Sequence, residues 1–599
     1  SATSARFDPA SGRWEELPPL PAARSSHDAA VVGDRLYVGG GWRLGGSASQ
    51  GEWATTVAVL DLAAATPQWA ELPQPFQRRG LALAALGDRL FFLGGMNSSN
   101  QPVTAVDILD TRTGAWSAGP ELPQGRLKGF GNSAAVAGGR LYVSGLSGEV
   151  FALTADGGAW EAVAKLKQPR FFHRLLALND HTLLALGGED DAGKIAEIEV
   201  IPVLPRAAGE GWPQWRGPAR DGVAPATGWN KQWPADGPPR LWTAKAGTGV
   251  SSPVIAGGRV YVTGNGGADR DQVLALDLLT GAEVWRHTLP AASTNHPMPI
   301  VPNGPAATPT AADGRVHVLS REGECRVLDA ATGELRWRVH LLADLGGKRP
   351  VYGYAQSPLV ADGRVYLDVG GPDGSTTALD AATGTVVWRA GDGEAGYSAA
   401  RRFTHDGAEL VAMFKGEALS VLEADTGRER WRWPATTRDF VNAATPVFVG
   451  PDIFISNSGT NAATLVGPGP DGPRARWTSA DLSLLFNHAV LRDGRLFAFH
   501  ELRRGVNEFN CLDAATGRKL WTSDAVPPGT FLLSDGHWLF LTRESEVVLA
   551  PAEPDGLRPV ARFQALGGRT YTRPALASGV LVVKNNAGEV AAFDLRPRG

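Results

Sequence analysis

The chain has 599 residues, a formal net charge of −4 and 20% charged residues. That balance gives no basic footprint for nucleic acid, and no apolar run of roughly 18 residues is present to span a membrane as a helix. With 74 Gly, 42 Pro, 19 Trp and only 2 Cys, the composition points to many turns and docking aromatics, not to a disulfide framework.

The first elements in chain order are four related stretches. They begin GRWEELPPLPAARSSHDAAVVGDRLYVGGG and PQWAELPQPFQRRGLALAALGDRLFFLGGM, and two looser copies come after them. Each carries a tryptophan (Trp14, Trp69, Trp116 and Trp160), and most carry a Leu-Pro, an Arg, a hairpin and a double glycine, as at Gly39-Gly40, Gly94-Gly95 and Gly187-Gly188. Residues 5–200 resemble kelch repeats on these positions, and the resemblance implies a propeller of four-stranded blades. Only four repeats are visible, and Ser1 falls just before ARFDPASGRW, the tail of a blade. Earlier strands are therefore expected to precede Ser1, or another arrangement to close the ring. His27 and His173 each lie three residues after a repeat Arg, and equivalent placement argues for structure over metal binding. Residues 1–205 contain no Cys, which removes the Cys–Tyr copper-radical chemistry of galactose oxidase, an enzyme with a similar repeat type.

Next comes GEGWPQWRGPARDGVAPATGWNKQWP, rich in Gly, Pro and Trp. It reads as an ordered linker over 206–239 that packs its tryptophans on the repeats C-terminal to it.

The remainder, 240–599, repeats two phrases. One places Asp-Gly or Gly-Gly between apolar β-branched runs, a hairpin signal, as in SPVIAGGRVYV and SPLVADGRVYL; eight copies start at Ser252, Thr308, Ser357, Ala400, Thr445, His488, Thr530 and Arg573. The other is LDAATG with a tryptophan after it, at Trp337, Trp388 and Trp521, with variants ending at Trp285, Trp431 and Trp477. In it the Asp side chain closes a turn, Gly supplies a positive φ, and Trp docks a neighbouring unit. Hairpin, third strand, turn and fourth strand at this period predict propeller blades. The last unit stops after its third strand, while an orphan strand around Trp242 precedes the first. That strand is expected to complete blade eight and remove the open edge. The fold class is thus all-β, with two β-propellers.

WPQWRGPARDG, NGPAATPTAADGRV, YGYAQSPLVADGRVY and the LDAATG…W copies resemble the PQQ-like propeller proteins. These are abundant in planctomycetes and related bacteria and are often described as similar to the assembly lipoprotein BamB. The resemblance covers 211–599 and implies a periplasmic or extracellular location. Quinoprotein dehydrogenases resemble this ring too, but they carry adjacent cysteines under the cofactor. Here Cys325 and Cys511 fall on third strands of blades two and six, opposite each other, so no disulfide is expected. No CxxCH haem site is present. No cofactor, metal or catalytic residue is expected from the pattern.

A ligand would meet the channel mouth at the starts of the inner strands. The candidates there are Tyr354, Gln356, Tyr397, Asn442, Asn487, His488 and Arg573, polar groups able to orient a small molecule. Inserts at 292–307 and 341–354 are expected to rise from that face. Three function classes are compatible with this pattern. The favoured one is a non-catalytic scaffold or protein-interaction module, with other proteins of an envelope complex as partners. The alternatives are a quinoprotein-like oxidoreductase and a sugar- or peptide-binding propeller.

Overall fold

The computed structural model describes residues 2–597 except 9–10, 46, 65, 124–126, 128, 155–156, 180–181, 204–210, 268–269, 290–302, 458–462 and 502–507. The described chain is all-β apart from a short 3-10 turn at Arg438–Phe440. It divides into two compact units, residues 1–208 and 209–598.

In the first unit, three four-stranded sheets begin at Asp28–Val32, Ala82–Leu86 and Ser133–Ala137, and a three-stranded sheet begins at Arg174–Asn179. A separate hairpin pairs Ser4–Asp8 with Arg13–Leu17. The recurrent residues act between repeats. The Trp69 indole donates to Pro18 O, Trp116 to Pro73 O and Trp160 to Pro120 O. The repeat arginines lie buried beneath the glycine turns. Arg78 donates to Gly94 O and Ala105 O, while Arg170 donates to Gly187 O and Glu197 O. A guanidinium with fixed donors can close such a set of carbonyls, which a flexible ammonium could not do as well.

The second unit has eight sheets of four blade strands, and its inner strands start close to the eight hairpin phrases. In blade seven the short Val223–Ala224 adds a fifth strand. Blade three shows the pattern, with strands Leu359–Ala361, Arg364–Asp368, Thr376–Asp380 and Val386–Ala390 in antiparallel order. Blade eight is completed by Arg240–Lys245, which pairs antiparallel with Glu589–Asp594. The ring is therefore joined by two segments far apart in sequence.

The repeated phrase has a double role. Within a blade, Asp380 Oδ1 accepts from the amides of Ala382 and Thr383, and Gly384, at φ +75, finishes the turn. Between blades, the same glycine seats the preceding tryptophan. A Cβ on Gly384 would stand 2.6 Å from the Trp337 ring. The Trp337 indole donates to Ala381 O, as Trp388 does to Ala424 O; the series continues through Trp242, Trp285, Trp477 and Trp521. A register shift beside the tryptophan, as between Ala378 and Leu379, recurs in blades one to six. Such a bulge re-aims the side chain. Trp431, whose neighbour is the degraded phrase of blade five, is half-buried against the cluster that holds Ile453 and Val466.

Trp388 is 8% exposed within the cluster of Leu359, Tyr366, Val411 and Met413. Trp388→Ala is expected to cost about 3–5 kcal/mol as a buried aromatic truncation, read from urea unfolding. An unchanged midpoint would refute the docking role.

Candidate functional site

Where the eight inner strands begin, blades meet side by side and their first residues are buried. The structure uses polar side chains there to join neighbours. The Arg573 amide donates to Ser252 Oγ, the Ser252 amide to Thr308 Oγ1, the Thr308 amide to Ser357 Oγ and the Thr445 amide to His488 Nδ1. At these junctions the bond runs the same way round the axis, including across the seam between blades eight and one. Ser, Thr and His suit this position because each offers a compact acceptor to the next amide.

This explains where the seven channel-mouth candidates lie. Tyr354 is buried, with its hydroxyl donating to Lys348 O and Val369 O. Gln356 spends both ends of its amide on the backbone of Asp368. Asn442 donates to the carbonyls of Lys415, Gly416 and Ala435. Tyr397 accepts from the Tyr352 amide through its hydroxyl. Asn487 is held by its amide on Glu501 Oε2, which also takes the amides of Leu485 and Phe486. His488 is fully enclosed, and burial pushes its pKa well down, with Arg573 and Arg216 adding to the effect. The candidates Tyr354, Gln356, Asn442 and His488 thus brace the scaffold, because convergence of the blades leaves buried polar groups little alternative to bonding one another. Of the two inserts, 341–354 folds back through Tyr354 onto blade three, whereas most of 292–307 lies outside the described residues.

The stretch 206–239 packs Trp212, Trp215 and Trp229 on the second unit, as a linker ordered on that propeller would. Its described part is more than a linker, for residues 212–222 plug the hub and touch all eight blades. The Trp212 backbone bridges Ile255 in blade one, and Pro213 O accepts from Ala311 in blade two. Arg220 donates to Thr310 Oγ1, Ser357 O, Pro358 O and Ala400 O, crossing blades two, three and four. Trp215 donates to Thr445 Oγ1 in blade five and meets His488 edge-on. Arg216 donates to Ala489 O in blade six, and Gly222 O accepts from Leu533 in blade seven. Arg573 of blade eight lies over the Trp215 ring at 5.1 Å. The segment then leaves as Val223–Ala224, parallel to the inner strand of blade seven.

Arg216 and Arg220 both hold left-handed backbone, at φ 61 and 54. Such conformations persist where surrounding bonds over-determine them, as the carbonyl ring around Arg220 does. Sequence reasoning missed these arginines. Their only signal is two arginines set among Gly and Pro, which does not disclose burial.

In the first unit, His173 Nε2 lies 2.8 Å from Ser144 Oγ. Burial, with Arg170 and Arg174 nearby, pushes its pKa down to about 4. It is a neutral, packed histidine near neutral pH. No group of three or more potential metal ligands occurs among the described residues.

Cys325 and Cys511 sit on third strands of blades two and six, both free and buried. Burial pushes their thiols up to about 12 and about 11, so neither is a ready nucleophile. Thiol titration of the native protein is expected to be slow, and of the unfolded, unreduced protein to return two groups. A count of zero would contradict the blade register.

Four-stranded sheets about a plugged hub, sealed by an N-terminal strand, define a β-propeller protein, here with two kinds of blade. The second unit is a BamB-like propeller of PQQ-type repeats, and kelch repeats precede it. The family model described as outer membrane protein assembly factor BamB matches residues 225–306 and 269–523, and the kelch motif matches 77–123. The chain is 28% identical over 382 residues to the outer membrane protein assembly factor BamB of Burkholderia pseudomallei, covering 60% of this chain and 88% of that protein. It is 26% identical over 210 residues to human Kelch-like protein 34, spanning about a third of each (32%). A 149-residue stretch is 32% identical to the dehydrogenase subunit of a quinone alcohol dehydrogenase of Komagataeibacter europaeus, covering 23% of this chain and 19% of that protein. Among solved structures, BamB from Moraxella catarrhalis aligns over 60% of this chain and 99% of its own, at 14% identity and a TM-score of 0.42.

Proposed function

We propose that the chain is a non-catalytic, extracytoplasmic interaction module and a subunit of a larger envelope assembly. The plugged hub is the observation that carries this reading. Trp215, Arg216 and Arg220 occupy the axis of the second propeller, in a segment tied into every blade. A protein that fills its own channel with bonded side chains has committed that space to rigidity, leaving the outer faces and loops for contact. Similarity to the BamB of Burkholderia pseudomallei supports the envelope setting, and the kelch repeats supply a second surface of the same kind. The test is crosslinking and affinity capture of the tagged chain from its native envelope, with sizing of the complex. Specific, stoichiometric partners are expected; a chain that runs alone in the envelope fraction overturns the subunit reading.

The similarity to a quinone-dependent dehydrogenase subunit keeps one other reading testable. Addition of pyrroloquinoline quinone with Ca²⁺ and a dye acceptor is expected to give no alcohol-dependent reduction. Turnover under those conditions would replace the scaffold reading with an oxidoreductase.

A further inference from the structure

The hub concentrates positive charge. Arg216, Arg220, Arg401 and Arg573 converge there, and all but Arg401 are at most 3% exposed. Arg220 is answered by carbonyls and by Gln214 Oε1. Arg401 donates to Pro446 O and Ala219 O through its two terminal nitrogens, and only its Nε is without a partner among the described residues. Arg573 differs. It spends one nitrogen, Nη1, on Phe531 O, while Nε and Nη2 have no partner among the described residues.

The identity of those two free nitrogens matters. Nε and Nη2 lie on the same side of the guanidinium and present parallel N–H bonds. That side-on edge is the one that grips a carboxylate, phosphate or sulfate bidentately. The same guanidinium lies over the Trp215 ring, which restrains the fork. Arg216, the neighbour in sequence of Trp215, also leaves Nε and Nη1 without a partner among the described residues, and burial and Arg573 both depress its pKa. Asp221 is the acid that offsets Arg216 and Arg401, and Glu501 the one that offsets Arg573. Glu501 is already engaged by three amides and by Arg543. Buried cations left this short of counter-charge are unfavourable unless another acceptor joins them.

We propose that the hub of the second propeller binds one small oxyanion on the free side-on edge of Arg573, with Arg216 supplying further donors. The anion is a carboxylate, phosphate or sulfate group, and it acts as a lock between the plug and blade eight.

The test uses the full chain, purified in a buffer free of oxyanions. Unfolding it and separating the released ions by ion chromatography is expected to give about one equivalent of a single oxyanion, its retention distinguishing phosphate, sulfate and an organic acid. If the native ion exchanges out during purification, thermal melts at constant ionic strength reveal it instead. Titrating phosphate, sulfate or acetate in place of chloride is then expected to raise the melting temperature saturably. Arg573→Gln removes that increment and keeps only the general salt response. Arg573→Lys, which retains charge without the fork, weakens it by about tenfold or more. Both variants are compared with the wild-type ion count, so a variant that fails to fold does not remove the test. No released oxyanion together with equal salt responses in wild type and variants overturns the proposal and assigns the fork to water. An ion recovered equally from wild type and Arg573→Gln is an adventitious ion only, and overturns it too.

Discussion

Deletion of residues 238–248 is expected to make the second propeller aggregate, with loss of a cooperative thermal transition. The deletion removes the strand Arg240–Lys245 and uncovers Glu589–Asp594 as a sheet edge. It also takes Trp242 from its seat, where the ring packs on the Gly281 turn and the indole donates to Leu278 O in blade one. An open, apolar edge is a template for pairing with other chains, and the exposed strand reads Glu-Val-Ala-Ala-Phe-Asp, mostly buried in the intact ring. Light scattering during a melt reads the outcome. A truncated chain that stays monodisperse and melts at the wild-type temperature would show that the ring closes by other means.

Arg220→Met is expected to have the next largest effect, on the order of 4 kcal/mol or more, because several buried acceptors lose their donor at once. The substitution keeps an unbranched apolar stem but removes the Arg220 donors to Ser357 O, Ala400 O, Thr310 Oγ1 and Gln214 Oε1, while Pro358 O loses one of two donors and keeps the Thr310 hydroxyl. Each buried acceptor left unpaired costs about 1–3 kcal/mol, partly recovered where local groups relax. The left-handed backbone at residue 220 loses its anchors as well. Denaturant unfolding measures the loss, and a change below about 1 kcal/mol would mean that the plug rests on the blades without bracing them.

The blade architecture was legible in the sequence because its information is local and repeated. Asp380 to Gly384 form a turn whatever surrounds them, and the tryptophan four residues on has the same kind of neighbour in most blades. The closing strand was legible by subtraction, from a final unit without its fourth strand. The hub was not. Gln356 and Asn442 read as polar groups at a mouth, but their side-chain nitrogens donate to backbone carbonyls 7 to 27 residues away in sequence, brought together by sheet curvature. The plug was harder still. Arg216 finds its partner Ala489 at a separation of 273 residues, and nothing in WPQWRGPARDG states that distance.

That separation has a consequence for biosynthesis. The plug and the strand Arg240–Lys245 are made well before the partners they need, which include Arg573 and Glu589–Asp594. Blades one to seven can assemble pairwise as they emerge, whereas the seam waits for the strand at 589–594. Until then the plug lacks its contact with Arg573, and the strand Arg240–Lys245 has no partner in the sheet it completes. Long-range closure of this kind is slow and leaves aggregation-prone intermediates. A chain threaded through a membrane pore would reach its folded ring only after that strand had crossed, and a product stopped before residue 589 could not shut at all.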